Sequence, residues 1–172
     1  MEKIWQQPAV GAQTEIIARS LRHWTGRDLF GAQTACPPVE RAGAETRGQA
    51  VRAPAALAEK VFHAPFVLVS HGTEADPILN YGNQTALALW EMSWDELTRT
   101  PSRLTAEAPN REERARLLDT VARRGFIDDY SGVRISKSGR RFRIASATVW
   151  NLISPDGKNC GQAALFSHWE FL

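Results

Sequence analysis

The sequence predicts an α+β domain in which short helices cover an antiparallel sheet, and three stretches indicate this fold class. Residues 66–91 contain two short strand patterns around a polar turn, and the second strand runs directly into a helix pattern. Residues 111–124 carry the apolar spacing of an amphipathic helix. Residues 126–171 are rich in β-branched and aromatic side chains and contain strong turn signals. Because strands joined in series by short turns pair antiparallel, this last third supplies most of the predicted sheet.

The composition indicates a globular protein with one main domain. A chain of 172 residues with 43% hydrophobic and 23% charged residues can form one core and still carry an appended segment. The formal net charge of +2 is too small to indicate a nucleic-acid-binding protein. The apolar runs are shorter than the roughly 20 residues that cross a bilayer, and the N-terminus lacks the apolar core of a secretory signal. We therefore expect a cytoplasmic protein without a membrane or nucleic-acid partner.

The first 53 residues are expected to form a helix and a linker, ahead of a main domain over residues 54–172. An apolar stripe at helical spacing follows Thr14 and ends before Gly26, and it consists of Ile16, Ile17, Leu21 and Trp24. Such a helix either docks on its own domain or supplies a dimer contact, and both interpretations stay open. Residues 31–54 are rich in Gly, Pro and Ala and are interpreted as the linker.

Capping residues predict where the helices of the main domain begin. The elements expected here are a short helix after Pro54, strands over Phe66–Ser70 and Pro77–Tyr81, a helix over Gln84–Glu91 and a single turn around Ser102–Glu107. Asn83 stands at the junction of strand and helix, where its side chain is expected to cap the helix. Ser93 precedes Glu96 by three positions, which is the spacing of a capping box for a second short helix.

The last third is predicted to be one long helix and three long strands. The helix has Ala115, Leu118, Val121 and Ala122 as its expected inward residues and Gly125 as its stop, and the strands cover Phe126–Ile135, Arg140–Ile153 and Cys160–Phe171. Strict alternation along the middle strand places Phe142 and Trp150 on one face and Val149 and Asn151 on the other. Apolar groups on both faces indicate that this strand is covered on both sides.

This order of elements resembles that of a PAS domain over residues 66–172. Within it, three long strings resemble the MEKHLA domain family, a PAS-related group: SHGTEADPILNYGNQTALALWE, PSRLTAE, and GFIDDYSGVRISKSGRRFRIASATVWNLI followed by GQAALF. The resemblance implies a five-stranded antiparallel sheet with helices on one face, to which the N-terminal helix is an extension. It also implies a small cavity that PAS relatives use for ligands, cofactors or partner signals, and it implies no reaction.

Several residues are candidates for that cavity and its ligand: Asn83, Trp90, Arg103, Tyr130, Trp150, Asn151 and Gln162. Trp90 and Trp150 are expected to line the cavity, either as ligand contacts or as residues that fill it. Flavin-binding relatives of the light-sensing type carry a reactive Cys-Arg pair, where this chain has Ser102-Arg103. The missing sulfur excludes adduct chemistry. Flavin binding stays an alternative, because Arg103 could bind a phosphate group and Gln162 could hydrogen-bond the edge of the flavin ring.

Haem and metal ligation are disfavoured by the positions of the histidines. PAS haem sensors use an axial ligand, usually His, in the long helix or just before it, and no histidine lies there. His71 is expected to face solvent in a turn beside Gly72. The cysteines Cys36 and Cys160 are far apart and form no CxxC motif, so we expect free thiols rather than a zinc site or a disulfide.

The residues most often used in catalysis form no convincing cluster. Asp128 and Asp129 are adjacent on a strand and are therefore expected to face opposite sides. A small enzyme in the same cavity would need Asp129, Tyr130 and Asn151 to converge. Residues 134–143 form a predicted hairpin without acidic residues, and its basic side chains are Arg134, Lys137, Arg140, Arg141 and Arg143. In one interpretation the hairpin binds phosphate groups or an acidic partner. In the commoner interpretation it is a solvated turn whose charges prevent pairing with another strand edge.

The sequence thus favours a non-enzymatic sensory or regulatory module. Its expected partners are a small molecule in the cavity or a signalling protein on the sheet, and self-association into a homodimer through the sheet and the N-terminal helix is expected. A ligand-free structural dimer is a further interpretation. The sequence requires no cofactor.

Overall fold

A computed structural model describes residues 3–31 and 52–172, which contain one antiparallel sheet and five α-helices. The helices are α1 (Pro8–Thr25), α2 (Arg52–Phe62), α3 (Gln84–Trp90), α4 (Trp94–Leu97) and α5 (Ala108–Arg124), with 3-10 turns at Ile4–Gln6 and Ser102–Thr105. The strands are β1 (Val67–His71), β2 (Leu79–Gly82), β3 (Phe126–Ile135), β4 (Arg141–Ile153), β5 (Asn159–Phe166) and β6 (His168–Phe171). Most of the predicted linker, including Cys36, lies outside the described residues. No helix within the two described ranges is long and apolar enough to cross a membrane.

The strands form one sheet in the order β2-β1-β5-β4-β3, with β6 also paired to β4. Every pairing is antiparallel, which confirms the predicted fold class. The predicted last strand is divided at Ser167, because β5 pairs with Thr148–Ile153 of β4 and β6 pairs with Phe142–Ala145. The sheet therefore has six strands where five were expected.

The two faces of the sheet are covered by different helices. On the face that we call outer, α1 buries Ile17 and Leu21 against Leu68, Trp150 and Leu152. On the face that we call inner, α3, the turn at Ser102–Thr105 and α5 lie over the strands. The central strands are consequently covered on both sides, as their composition predicts.

A β-bulge at Ser146 reverses the alternation of side chains along β4. Ser146 has a φ of 54°, and the register with β3 shifts between Tyr130 and Gly132. An extra residue in one strand moves every following side chain to the other face. Phe142 therefore shares the inner face with Val149, whereas Trp150 faces outward. The predicted common face of Phe142 and Trp150 is wrong for this reason.

Helix α1 begins at Pro8, before the predicted start at Thr14. Thr14 is buried inside the helix, where its hydroxyl donates to the Val10 carbonyl at 2.7 Å. This internal hydrogen bond explains how a residue typical of helix starts lies in mid-helix. The helix ends at Gly26, as predicted, with a φ of 70°. Its apolar stripe packs on its own sheet, so that stripe is not free to form a dimer contact.

Helix α5 presents a different face to the sheet from the predicted one. Its covered residues include Arg114, Leu117, Leu118 and Val121, which have the spacing of one helical face. Ala115 and Ala122 are exposed, so the predicted stripe is partly wrong. Arg114 lies within the covered face, so a search for apolar residues at helical spacing does not identify this face.

Candidate functional site

A cavity of about 60 Å³ lies between the inner face of the sheet and the helices α3 and α5. Its apolar wall consists of Val69, Leu79, Leu118, Ile144, Val149 and Phe166. A buried water needs roughly 10–15 Å³ of such volume, so the cavity has room for about four to six water-sized groups. It is far smaller than the roughly 300–1,000 Å³ of a typical drug-sized site.

Two arginines contribute positive charge to the cavity wall. Arg134 reaches it from β3 and is only 7% exposed, while Arg114 reaches it from α5. Arg134 donates to the Val133 carbonyl at 2.8 Å and to the Tyr130 hydroxyl at 3.1 Å. Burial, and then the nearby Arg134, lower the pKa of Arg114 to about 10. No Asp or Glu of the described residues lines the cavity.

His71 closes the same wall from the end of β1. It is 8% exposed, which overturns the expectation of a solvent-facing turn residue. Its Nδ1 lies 2.8 Å from the Gly72 carbonyl oxygen, and because that oxygen only accepts, Nδ1 carries the proton in the neutral ring. Nε2 is then an acceptor, and no described group lies in good hydrogen-bond geometry to it, although the Gln162 side chain is close enough to favour the protonated ring. Burial lowers the pKa of His71, against the opposing effect of the Gly72 hydrogen bond.

Trp90 supplies the aromatic side of the cavity. It is the last residue of α3 and is 3% exposed, with its ring edge-to-face on Phe142 at 5.4 Å and on Phe166 at 6.2 Å. Its indole N–H finds no acceptor in the described part of the chain. A buried donor without an acceptor costs about 1–3 kcal/mol, so the indole of Trp90 is a strained point next to the cavity.

Of the residues expected at the cavity, Trp90, Tyr130 and Gln162 line it. The Gln162 amide donates to the Leu118 carbonyl at 2.9 Å and to Asn151 Oδ1 at 3.0 Å. Its nitrogen is therefore occupied, and its oxygen is the group left for a ligand.

Asn151 and Asn83 are buried, but neither lines the cavity. Asn151 donates to the carbonyls of Val121 and Ala122 and joins α5 to β4. Asn83 Oδ1 accepts from the Ala86 amide at 3.1 Å, which is the predicted helix cap. The packing of the fold thus occupies both side chains.

Trp150 and Arg103 also lie away from the cavity. Trp150 is on the outer face, where its indole N–H donates to the Ile17 carbonyl at 3.3 Å, because the bulge at Ser146 turns it there. Arg103 is half-exposed and pairs with both oxygens of Asp76 at 3.0 and 3.1 Å.

The residues present do not fit a flavin. The apolar wall and the two arginines leave about 60 Å³, which does not hold three fused rings. Arg103, the expected phosphate ligand, is outside the cavity and already paired. A porphyrin is larger still. Within residues 3–31 and 52–172, no group of three or more His, Cys, Asp or Glu side chains could hold a metal ion.

The side chains that an enzyme would need do not converge. Asp129 is exposed at a bulge of β3 with a φ of 59°, while Tyr130 lines the cavity and Asn151 is occupied by α5. Asp128 is also exposed and pairs with Arg27 at 2.7 Å. Cys160 is a half-buried free thiol, and burial raises its pKa.

The basic hairpin is tied to acidic groups of neighbouring elements. Lys137 pairs with Glu96 at 2.5 Å and Arg141 pairs with Glu107 at 3.1 Å. Arg140 stacks on the Phe171 ring at 3.4 Å. Arg134 turns inward to the cavity, so the hairpin is not a single uncompensated surface patch.

His71, Arg114 and Arg134 are the cavity residues with ionisable side chains that sequence reasoning missed. His71 follows a buried strand pattern that could have been continued by one residue to include it. Arg114 lies three, four and seven positions before Leu117, Leu118 and Val121, a spacing that places it on the covered face. Arg134 carries no comparable signal, because its strand is half-exposed along most of its length.

Comparison with known proteins places the chain in a family. The sequence model of the MEKHLA domain matches residues 12–171. Two Arabidopsis thaliana proteins, the homeobox-leucine zipper proteins ATHB-14 and ATHB-9, are 27% and 25% identical over 157 residues. Each alignment covers 91% of this chain and 17% of the relative, so the chain spans about a sixth of these proteins.

Solved structures share the fold at low sequence identity. A PAS domain from Colwellia psychrerythraea has a TM-score of 0.56 at 12% identity and covers 67% of this chain and 92% of its own. An RNA-binding light-oxygen-voltage receptor has a TM-score of 0.59 at 16% identity, over 74% of this chain and 36% of its own. At these identities the likeness concerns the fold alone. With nearly the whole chain matched by the family model, this protein belongs to the MEKHLA domain family and has the fold of a PAS domain.

Proposed function

We propose that this chain is a non-enzymatic sensory or regulatory module that binds a small molecule in its interior cavity and reports its occupancy to a protein partner. The observation that carries the proposal is the cavity together with its unused polar groups. His71 and Trp90 both line the cavity, and each carries a buried ring nitrogen, Nε2 and Nε1, that makes no hydrogen bond among the described residues. Buried polar atoms in native proteins are normally hydrogen-bonded, so these groups favour an occupant.

A hydrogen-bonded connection from the cavity to helix α1 supports the signalling part of the proposal. Gln162 lines the cavity and donates to Asn151 Oδ1, and the Asn151 carbonyl accepts from the Trp24 indole at 2.9 Å. Trp24 belongs to α1 on the outer face. A ligand that shifts Gln162 acts on this chain of bonds, so α1 and the sheet beneath it are the proposed output surface.

Ligand binding is tested on the protein as it is purified. Native mass spectrometry and an absorbance spectrum are recorded before and after denaturation, and thermal unfolding is followed with a panel of small acids, amides and alcohols. A ligand that binds only the folded state raises the unfolding temperature with its concentration. Extra non-covalent mass, or a saturable rise with any compound, is the expected result. A protein with no extra mass and no response to the whole panel contradicts the proposal.

The proposal includes a homodimer in the cytoplasm, with a signalling protein as the downstream partner. The apolar stripe of α1 is buried on its own sheet, so the dimer would use the remaining surface of that helix and the sheet edges. Light scattering over a range of protein concentrations measures the oligomeric state. A mass that stays monomeric over the whole range removes the dimer and leaves the ligand proposal intact.

A further inference from the structure

We propose that the ligand of this cavity is a small organic anion, a short-chain monocarboxylate whose carboxylate group lies between Arg114 and Arg134. The inference rests on the proposed function, because it names the ligand class of the same cavity. Three independent features support it: uncompensated charge, available donors and the size of the apolar space.

The charge of the two arginines is not balanced inside the cavity. Neither takes part in an ion pair among the described residues. Asp76 is close enough to affect Arg114, but both its oxygens are bound by Arg103. Arginine keeps its charge at neutral pH, and a buried charge without a partner is costly. An anion in the cavity would lower this cost, most of all for Arg134, which is 7% exposed, and less for Arg114, which is half-buried.

The donors suit a carboxylate. Arg134 is pre-positioned by the Val133 carbonyl and the Tyr130 hydroxyl, and a guanidinium has five N–H donors, so others remain free. The Arg114 guanidinium, which lines the cavity, donates no hydrogen bond to any described residue. The planar fork of arginine matches the two oxygens of a carboxylate, and charged hydrogen bonds of this kind are about twice as strong as neutral ones.

The remaining space selects a short apolar chain. Leu118, Ile144, Val149 and Phe166 offer no hydrogen bonds, and the cavity of about 60 Å³ holds only about four to six water-sized groups. A phosphate or sulfate would place charged oxygens against this apolar side of the cavity, where no side chain can donate a hydrogen bond to them. A carboxylate with a short alkyl chain places its charge on the arginines and its carbons on the wall.

The test compares one acid with its uncharged isostere on the full chain. Sodium propionate, propionamide and sodium chloride at equal ionic strength are titrated into isotope-labelled protein. The expected result is that propionate shifts the Trp90 indole N–H resonance to saturation and raises the unfolding temperature, while propionamide and chloride do not. The indole resonance of Trp5 is the internal control, because its ring packs on Phe62 and His63 and Trp5 does not line the cavity. The Trp24 indole is bonded to the Asn151 carbonyl and is expected to respond with the cavity, as the proposed function requires. A Trp90→Phe variant assigns the resonance.

Variants of Arg114 then test its part in binding. Arg114→Gln is expected to weaken propionate binding at least about tenfold, and Arg114→Lys, which keeps the charge but loses the fork, is expected to weaken it less. Arg116→Gln is the matched control, since Arg116 lies on the same helix with 76% of its side chain exposed, and it should leave binding unchanged. The NMR spectrum shows whether the Arg114→Gln variant is folded. If it is not, propionate binding is compared between the native chain and Arg114→Lys.

Each other outcome has a definite meaning. Equal responses to propionate and propionamide, or to propionate and chloride, overturn the carboxylate and leave a cavity that binds ligands of another class. Propionate binding that survives in both Arg114 variants also overturns it. No response to any small molecule, with no extra mass on the purified protein, overturns the proposed function as well.

Discussion

The Gln162 side chain donates to Asn151 Oδ1 at 3.0 Å, and this bond joins the cavity wall to the contact between β4 and α5. Asn151 is 7% exposed and also donates to the Val121 and Ala122 carbonyls near the end of α5. One buried amide thus serves the ligand cavity and the packing of the helix that carries Arg114. Changes at this amide are expected to affect both stability and ligand binding.

Asn151→Ala is predicted to lower the free energy of unfolding by about 2–4 kcal/mol, because it removes three buried hydrogen bonds, those to the Val121 and Ala122 carbonyls and the one from Gln162. The Val121 carbonyl keeps the Gly125 N–H and the Gln162 amide keeps the Leu118 carbonyl, so the loss stays below that of a fully unpaired network. Urea unfolding measures the change. In a double-mutant cycle with Gln162→Ala, the two effects should couple by at least about 0.5 kcal/mol. Additive effects, or a loss below about 1 kcal/mol, would mean that the bond contributes little.

Gly161→Ala is predicted to be among the most damaging single substitutions. Gly161 has a φ of 139°, and a Cβ there would lie 1.9 Å from the His71 carbonyl oxygen, a backbone atom in the paired strand β1. We expect a loss above about 4 kcal/mol or failure to fold, since both strain and a steric clash act. Gly139→Ala is the matched control, with a φ of 89° and no atom near its Cβ, and should cost about 1 kcal/mol. Similar losses at both positions would contradict the role of the clash.

Trp90 and Trp150 are predicted to respond differently to substitution by phenylalanine. Trp150→Phe removes an N–H that donates to the Ile17 carbonyl, whereas Trp90→Phe removes an N–H that has no partner in the described structure. The Trp150 variant should therefore lose about 1 kcal/mol more than the Trp90 variant in urea unfolding without ligand. A Trp90 variant that is equally or more destabilised would indicate that its indole already has an occupant or acceptor.

Stability is predicted to fall below about pH 6.5 because of His71. Burial lowers the pKa of His71 in the folded state, so the unfolded chain binds the proton more readily. As the pH falls from the ordinary pKa of histidine to the lower pKa of His71 in the folded state, the unfolded chain takes up the proton and the folded chain does not. The free energy of unfolding therefore decreases in that pH range. The groups that act on the ring are Arg114, which opposes the proton, and Glu74, the Gly72 carbonyl and Gln162, which favour it.

The measurement is urea unfolding at several pH values for the native chain and for His71→Gln. The difference between the two should have a slope of at most about 1.4 kcal/mol per pH unit, the value for one proton. His23, His63 and His168 are present in both proteins and cancel in the comparison. A native chain and variant with parallel pH profiles would show that His71 does not titrate as described.

Many features of the fold were predictable because they depend on residues close together in sequence. Asn83 accepts from the Ala86 amide, and Ser93 and Glu96 form the predicted capping box. Gly26 and Gly125 end their helices where expected. Caps and tight turns are satisfied by neighbours within a few residues, so the sequence alone indicates them.

The cavity was predictable only in part. Trp90, Tyr130 and Gln162 line it as expected, but Trp150 does not, because the bulge at Ser146 moves it to the outer face. A bulge depends on how two strands pair over a long distance in sequence, and the alternation of apolar residues conceals it.

The sequence by itself determined the antiparallel sheet, the helix boundaries set by caps, and the family. The tertiary structure decided which side chains share the cavity. His71, Arg114 and Arg134 come from β1, α5 and β3, elements that are distant in the chain, and two of them carry charge into an otherwise apolar space. A charged side chain is normally expected at the surface, because burying it costs free energy. That these two arginines line a cavity is therefore visible only in the tertiary structure.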